Sequence, residues 1–215
     1  MESLLDVLAK IEEDPVRFLG NPSCEKLWSF VVGWHIATPV AMGPQDDSFR
    51  LWLHEKYAFP DQFRNEFIIP QLAAGNDHDA FFLYFKELGI YRKVNPSYFE
   101  PQSICGGPVH AICERQEMIE RITKKPGMYI GAKRADRFRA YLDGDAYARR
   151  QSDPSIQLYA DLDKLEAWLA KEEGFEKPVR CEVLALAYSM QNEDNAFDWL
   201  ASKIAEFESL SPVAH

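Results

Sequence analysis

The sequence predicts an all-α protein built from two tandem, duplicated helical modules of about five helices each. Apolar residues recur at the three- and four-residue spacing of amphipathic helices along most of the chain. Alternating apolar and polar residues, which would indicate strands, are nearly absent, and residues 67–69 and 181–186 are the only ambiguous stretches. The third observation is an internal repeat, which is typical of a chain made from one repeated unit.

The repeat covers most of the chain with two constant offsets. Residues 11–34 align with residues 122–145 at an offset of 111, and residues 49–91 align with residues 165–207 at an offset of 116. Neither block needs a gap, and together they contain 12 identities in 67 aligned positions. The matched positions are mostly apolar, Gly or Pro, the types that packing and backbone geometry restrict most. The repeat therefore predicts a first module over 1–93, a linker over 94–117 and a second module over 118–210.

Each module is predicted to begin with an amphipathic helix that a proline ends, Pro15 in the first copy and Pro126 in the second. Its apolar positions are Leu4, Leu5, Leu8 and Ile11 in the first copy and Met118, Ile119 and Ile122 in the second. Asn21 followed by Pro22 is typical of an N-cap and the first position of a second helix.

Three further helices are predicted in each copy after a polar loop. The offset grows by five residues between Trp34 and Phe49, so we expect a longer loop in the second copy. The predicted caps are Asp46 or Asp47 for the third helix, Asp161 or Asp163 for its counterpart, and Asn76 and Asn192 for the fifth helix of each copy.

The charge of the chain limits its partners. The formal net charge is −10 and the sequence pI is about 5.0, which disfavours binding to nucleic acid or to an anionic membrane. Solubility alone also explains such acidity. No apolar run reaches the roughly 18 residues of a membrane span, and no basic and apolar signal pattern opens the chain. We therefore expect a cytoplasmic protein without a cofactor whose partner is basic.

The sequence offers no convincing catalytic or metal constellation. The four cysteines have no repeating spacing and are interpreted as free thiols: Cys24, Cys105, Cys113 and Cys181. Cys105, His110 and Cys113 lie close together, but no fourth zinc ligand is near them, so no metal site is predicted. No Ser-His-Asp or Cys-His pairing can be built from local sequence, and no catalytic residue is predicted.

Two basic and two acidic residues are the only charged residues identical in both copies. They are Arg64 and Arg180, and Glu66 and Glu182. We interpret them as structural ion pairs with neighbouring helices rather than as a catalytic set.

The string Lys125-Pro126-Gly127-Met128-Tyr129-Ile130-Gly131 resembles a box in the ATPase domain of type II topoisomerases. That family also needs an acidic-Asn helix for magnesium, an Asp-x-Gly-x-Gly turn and a Gly-rich phosphate lid, and the downstream sequence contains none of these. The first copy, residues 14–20, keeps only the Pro, the aromatic-aliphatic pair and the last Gly. The string is therefore interpreted as a turn between two helices.

A second resemblance spans most of both modules. The sequence is similar to a family of small bacterial helical proteins regarded as immunity proteins, whose genes often lie beside those of polymorphic or Rhs-type secreted toxins. The pattern is carried by Pro126–Gly131, Gly144, Trp168-Leu169 and Ala196-Phe197 in the second copy, and by Trp52-Leu53, Lys56-Tyr57 and Ala80-Phe81 in the first. Glu172-Glu173 stands where the second copy would have Lys-Tyr.

The resemblance implies an immunity protein that neutralises a cognate antibacterial toxin by occluding its active site, and no enzymatic activity of its own. The toxin would be basic, for example an enzyme that uses nucleic acid or NAD, and the chain would be a monomer or bind it 1:1. A helical adaptor for another protein's helix is the main alternative. An enzyme with an acidic cleft between the modules is a further one.

Contacts with the toxin are predicted where the two copies disagree, because the matched positions are committed to the core. The predicted toxin-binding residues are Asp46 and Asp47 in one divergent loop, Asp143, Asp145 and Tyr147 at the start of the other, and Tyr98, Phe99 and Glu100 in the linker.

Overall fold

The computed structural model describes residues 2–38, 45–59, 65–95, 115–152 and 158–210, and its secondary structure there consists of twelve α-helices. No strand occurs in these ranges, so the all-α prediction is confirmed. The helices are α1 (Leu4–Glu13), α2 (Pro15–Leu19), α3 (Cys24–Ala37), α4 (Gln45–Tyr57), α5 (Asn65–Leu72), α6 (Asp77–Val94), α7 (Arg115–Lys124), α8 (Pro126–Tyr129), α9 (Ala135–Ser152), α10 (Leu158–Glu172), α11 (Cys181–Tyr188) and α12 (Glu193–Leu210).

Each sequence copy therefore contains six helices within the described ranges, one more than expected. The additional helices are the short α2 and α8, which begin at Pro15 and Pro126. Proline lacks an amide donor and has a fixed φ, so it suits the first position of a new helix as well as the end of the preceding one. Gly20 ends α2 with φ at 79°, and Gly131 follows α8 with φ at 76°.

The predicted cap of the last helix of each copy is confirmed. The Asn76 side chain accepts a hydrogen bond from the backbone amide of Asp79 at 3.1 Å. The Asn192 side chain accepts the equivalent bond from the amide of Asn195 at 2.9 Å. Each asparagine thus satisfies one of the amides that a helix N-terminus leaves without an intrahelical partner.

The other predicted helix starts are wrong by a few residues. Helix α3 begins at Cys24 instead of Pro22, and the Ser23 hydroxyl accepts the hydrogen bond of a first-turn amide. Helices α4 and α10 begin at Gln45 and Leu158, ahead of every aspartate proposed as their cap. The aspartates that consequently lie inside helices are Asp46, Asp47, Asp161 and Asp163.

Backbone positions with positive φ recur at equivalent places in the two copies. In the described residues, all eight of these positions form four pairs at the two sequence offsets. The pairs are Gly20 (79°) with Gly131 (76°), Ala58 (54°) with Gly174 (76°), Ala74 (51°) with Met190 (53°), and Gly75 (79°) with Gln191 (66°). Equivalent helices thus end in the same left-handed turns, although only half of these residues are glycine.

The chain divides into two units whose boundary falls within α3. The N-terminal unit consists of Glu2–Trp28 and Thr38–Ile112. The C-terminal unit consists of Ser29–Ala37 and Cys113–His215, together with Met1. The second half of α3 therefore belongs to the first copy in sequence and to the C-terminal unit in space.

The N-terminal unit has an aromatic core. The Phe49 ring lies 5.8 Å from the Tyr84 ring and 5.3 Å from the Tyr91 ring, measured between centroids. The rings of Phe81 and Phe85 are 4.9 Å apart, and both side chains are buried. These separations are those of edge-to-face and tilted aromatic pairs, which add to the free energy gained by burying the rings.

The C-terminal unit packs helices α7 to α12 and the second half of α3 around one hydrophobic core. Phe138, Tyr141 and Phe197 are its largest fully buried side chains. Val32 and Ile36 of α3 pack against this core, which explains why that half of α3 belongs to the unit.

Two glycines permit α3 and α9 to approach closely inside the C-terminal unit. A Cβ atom placed on Gly33 would lie 2.1 Å from the carbonyl oxygen of Tyr141, and one placed on Gly144 would lie 2.0 Å from that of Phe30. A real Cβ is never so close to another heavy atom, and neither obstacle is a flexible side chain. Only glycine fits at these two positions.

The contact is reciprocal with respect to the repeat. Gly33 and Gly144 are equivalent at the offset of 111, and so are Phe30 and Tyr141. Gly33 packs on Tyr141, the equivalent of Phe30, and Gly144 packs on Phe30, the equivalent of Tyr141. Phe30 and Tyr141 each lie three positions before the glycine of their own helix. Such an exchange of equivalent partners is the property of a two-fold contact between identical surfaces.

No helix in the described ranges has the length and apolar character needed to cross a membrane.

We expect Gly33→Ala and Gly144→Ala each to lower the free energy of unfolding by roughly 3 kcal/mol, since the new methyl group would push two helix backbones apart. Gly89→Ala is the matched control, because Gly89 lies in α6 with no atom within 4 Å of its added Cβ. That control should stabilise the protein by roughly 0.5–1 kcal/mol through helix propensity. Urea denaturation followed by circular dichroism measures all three. Equal effects of Gly33→Ala and Gly89→Ala would contradict the close approach.

Candidate functional site

Three of the predicted toxin-binding residues lie in a helix instead of a loop. Asp143, Asp145 and Tyr147 belong to α9, which is 18 residues long, whereas its counterpart α3 has 14. The extra length of the second copy thus extends a helix, and the loop prediction is wrong there. Asp143 and Asp145 are buried, with 5% and 1% of their surface exposed, and Tyr147 is half-buried.

The other predicted contact residues have no described side chain. Asp46 and Asp47 lie in the first turn of α4, but their side chains are not among those that the structure describes. Tyr98, Phe99 and Glu100 lie outside the described residues altogether, as do Cys105, His110 and Cys113, which were considered as zinc ligands. Toxin binding remains a prediction for Asp46, Asp47, Tyr98, Phe99 and Glu100.

Asp143 belongs to a buried ion network centred on Arg139, one turn earlier on α9. The Arg139 Nε donates to both oxygens of Asp143 at 3.1 Å, and its Nη1 donates to Glu166 of α10. The same Nη1 lies 3.5 Å from the sulfur of Cys181. The two acidic side chains and the arginine side chain are each at least 88% buried, so the ion pairs are largely shielded from water.

The start of α11 completes the network. The Arg180 Nε lies 2.5 Å from Glu182 Oε1, and its Nη2 lies 3.9 Å from Asp143 Oδ2. The backbone amide of Cys181 donates to Glu166 Oε1 at 3.2 Å. Arg180 and Glu182 thus form a structural ion pair, as predicted, and Arg180 also reaches Asp143 of the neighbouring α9. Arg64 and the side chain of Glu66 lie outside the described residues. The network joins α9, α10 and α11 through charged hydrogen bonds, which are stronger than neutral ones.

Burial controls the protonation of the network. Burial raises the pKa of the Asp143 carboxyl, although the charge of Arg139 opposes this shift. Burial also raises the pKa of the Cys181 thiol to about 12, so the sulfur is a neutral thiol near pH 7. Burial disfavours the charge of Arg139, but Asp143 and the other acidic neighbours raise its pKa well above the usual value. Arg139 is therefore a permanent cation, and the thiol is a poor nucleophile.

Three side chains of this network could in principle supply metal ligands. One ligand atom from each of Glu166, Cys181 and Glu182 lies within 4.8 Å of the other two. However, the guanidinium of Arg139 already contacts the carboxylate of Glu166 and the sulfur of Cys181. A metal ion would have to displace this cation and remove the thiol proton. The arrangement is better described as an internal ion network than as a metal centre.

The N-terminal unit has a different ion pair, in which a buried glutamate meets a partly exposed lysine. The Lys56 Nζ lies 2.5 Å from Glu87 Oε2, and the hydroxyl of Tyr57 donates to Glu87 Oε1 at 2.8 Å. Burial disfavours charge on Lys56, yet the hydrogen bond to Glu87 raises its pKa. The same ammonium lies 4.7 Å from the ring centroid of Trp52, within cation–π range. In the Lys-Tyr pair that the sequence analysis names, Lys56 thus supplies the counter-charge of the buried Glu87, and Tyr57 supplies a hydrogen bond.

The second copy keeps a cation on the equivalent tryptophan but supplies it from another helix. Glu172 and Lys203 occupy the positions of Lys56 and Glu87, so the two charges are exchanged. The Lys203 Nζ lies 5.4 Å from the ring centroid of Trp168. In both copies a lysine ammonium thus lies over the equivalent tryptophan ring, although the two lysines come from different helices.

The exposed apolar residues of α11 and its following turn form the second candidate site. Val183 is 52% exposed, Tyr188 47% and Met190 92%. The Tyr188 ring stacks on Trp199 of α12, with centroids 5.4 Å apart and planes 9° apart. We define the α11–α12 face as Val183, Ala187, Tyr188, Met190 and Trp199. The sequence analysis did not identify this face, because apolar residues at helical spacing do not show whether the same chain covers them.

Comparisons with known proteins give no relative: no family model, no curated protein and no solved structure matches the chain significantly.

We expect Arg139→Met to lower the free energy of unfolding by about 3–5 kcal/mol, because two buried carboxylates lose their counter-charge. Adding Asp143→Leu and Glu166→Leu should restore much of this loss, since the two carboxylates that lost their counter-charge are then removed, while Arg180 keeps its pair with Glu182. Arg121→Met, which removes an exposed pair with Glu117, is the control and should have little effect. Chemical denaturation measures the series. If Arg139→Met is as stable as Arg121→Met, the charge of Arg139 contributes little to the stability of the fold.

Because the thiol of Cys181 is buried, we expect the folded protein to lose stability at alkaline pH. Its pKa is about 12 in the folded protein and near 9 when exposed, so above pH 9 only the unfolded chain releases the proton. Cys181 therefore stabilises the fold fully below pH 9, and this contribution declines as pH rises toward 12. Between pH 8 and pH 10 the wild-type protein should lose roughly 1 kcal/mol more than Cys181→Ala. Parallel pH profiles from urea midpoints would contradict a buried neutral thiol.

Proposed function

We propose that this chain is an immunity protein that binds a cognate antibacterial toxin and occludes its active site. The observation that carries the proposal is the α11–α12 face, where exposed aromatic and apolar side chains lie in an acidic segment. Residues 171–210 contain nine Asp or Glu and four Lys or Arg, which accounts for half of the formal net charge of −10. Apolar anchors combined with one sign of charge are features of tight, rapidly formed protein complexes.

The resemblance of the sequence to bacterial immunity proteins supports the same function. The residues that carry it are structural here: Gly144 permits the α3–α9 approach, Phe197 is fully buried, and Gly131 adopts a left-handed turn. We further propose that the chain arose by tandem duplication of one such module. The four pairs of equivalent turns and the reciprocal glycine contact support this origin.

The toxin would act in the cytoplasm and have a basic cleft, such as one that holds a nucleic acid or the pyrophosphate of NAD. A negatively charged inhibitor increases the encounter rate with such a cleft and competes with its anionic substrate. The buried carboxylates would contribute little to this attraction, because Arg139, Arg180 and Lys56 neutralise them internally. The exposed carboxylates of residues 171–210 would contribute more.

A helical adaptor is the second candidate function, because the exposed face of α11 also suits a partner helix without any toxin. The two functions differ in what happens to the partner's activity. An immunity protein abolishes a toxic activity, whereas an adaptor leaves the activity of its partner intact.

The test is co-expression with the product of the adjacent gene, whose C-terminal domain we expect to arrest growth when it is expressed alone. We expect the chain to restore growth, to purify with the toxin domain in a 1:1 complex and to inhibit it stoichiometrically. Raising NaCl from 0.05 to 0.5 M should slow association by roughly tenfold or more, because exposed charges are screened. A toxin domain from a different gene pair is the control. Growth arrest despite equal amounts of both proteins would refute the immunity function.

A further inference from the structure

We propose that the α11–α12 face is a docking surface for a lysine- and arginine-rich amphipathic helix of the partner protein. This inference rests on the proposed function, because it assigns the contact surface and its chemistry to that binding partner. Val183 and Ala187 are four residues apart and lie on one face of α11, and Met190 follows in the turn after the end of the helix. All three are exposed.

Met190 is the strongest indication that this face binds another molecule. Its side chain is 92% exposed, and its φ is 53°, in the left-handed region that an unbranched side chain adopts only at a cost. The next residue, Gln191, is also left-handed with φ at 66°. In the first copy the same two positions are Ala74 and Gly75, with φ at 51° and 79°.

The second copy thus retains a large apolar side chain at a strained position where it gains no burial. A strained backbone that presents an exposed side chain is a recurrent feature of binding sites. Glycine at this position would relieve the strain and remove the exposed thioether. Methionine is well suited to contact a partner, because its flexible side chain adapts to irregular apolar surfaces.

The rest of the face supplies an aromatic surface with a carboxylate beside it. Tyr188 stacks on Trp199, and the neighbouring Glu173 carboxylate raises the pKa of the Tyr188 hydroxyl. Ordered aromatic side chains lose little conformational entropy on binding and often contribute most of the binding energy. Ion pairs engage Glu182, Glu193, Asp198 and Glu206, and the five other carboxylates of residues 171–210 still outnumber the four cations of this segment, which favours a basic partner over an acidic one. A helix with an apolar stripe flanked by Lys or Arg matches both features.

The test uses two dye-labelled synthetic peptides with the same leucine stripe at helical spacing, one with lysine and one with glutamate at every polar position. Fluorescence anisotropy measures their binding to the full chain. We expect the lysine peptide to bind at least tenfold more tightly than the glutamate peptide. Equal binding of the two peptides, or no binding of the lysine peptide, would overturn the proposal.

Met190→Gly separates docking from stability. We expect this variant to raise the melting temperature by a few degrees, because the left-handed strain is removed, and to weaken lysine-peptide binding at least fivefold. Ala74→Gly is the matched control at the equivalent position, and it should raise the melting temperature without changing peptide binding. Unchanged binding by Met190→Gly would refute a role for Met190 in docking.

Val183→Lys provides a second variant that should fold normally, because Val183 is half exposed. The added positive charge should weaken the binding of the lysine peptide and strengthen the binding of the glutamate peptide. An unchanged ratio of the two affinities would contradict docking along α11. The peptide tests need no toxin, so a toxin complex formed without lysine-peptide binding overturns only the docking inference. Lysine-peptide binding without toxin neutralisation overturns only the immunity function.

Discussion

The close approach of α3 and α9 is the constraint on which the C-terminal unit depends. Gly33 and Gly144 each face a main-chain carbonyl of the opposite helix, at a distance that excludes even a methyl group. This approach brings Val32 and Ile36 onto the core that Phe138, Tyr141 and Phe197 form. The reciprocal exchange between equivalent residues is what a two-fold dimer contact would become after gene duplication and fusion. It also explains why the compact units divide α3 instead of following the sequence repeat.

Buried charge has a different role from exposed charge in this molecule. Arg139 is surrounded by Asp143, Glu166 and Cys181, and each member of the network has a partner within the C-terminal unit. Such a network specifies how three helices pack, and removing one member is costly even where the whole set contributes little net stability. The exposed residues of the α11–α12 face take no part in these ion pairs, and they form the binding surface that we propose.

The fold class and several individual features could be predicted from the sequence. Helical periodicity predicted the all-α class, and the side chains of Asn76 and Asn192 predicted two helix caps, because these signals depend on neighbouring residues only. The sequence analysis predicts a loop at Asp143 and Asp145, although they align with helical positions of the first copy, Val32 and Trp34. Length differences alone do not distinguish a longer loop from a longer helix. The network around Arg139 could not be predicted, because its members are up to 43 residues apart in sequence and meet only through packing.

The α11–α12 face was missed for a related reason. A pattern of apolar residues at helical spacing identifies a helix face but not whether that face is covered by the same chain. Hydrogen exchange of the chain with and without the co-purified toxin domain, followed by mass spectrometry, tests the central claim most directly. The account predicts slower exchange on binding in peptides covering residues 183–199, which contain the α11–α12 turn. Unchanged exchange throughout these peptides in a stable complex would contradict it, because the toxin would then bind elsewhere.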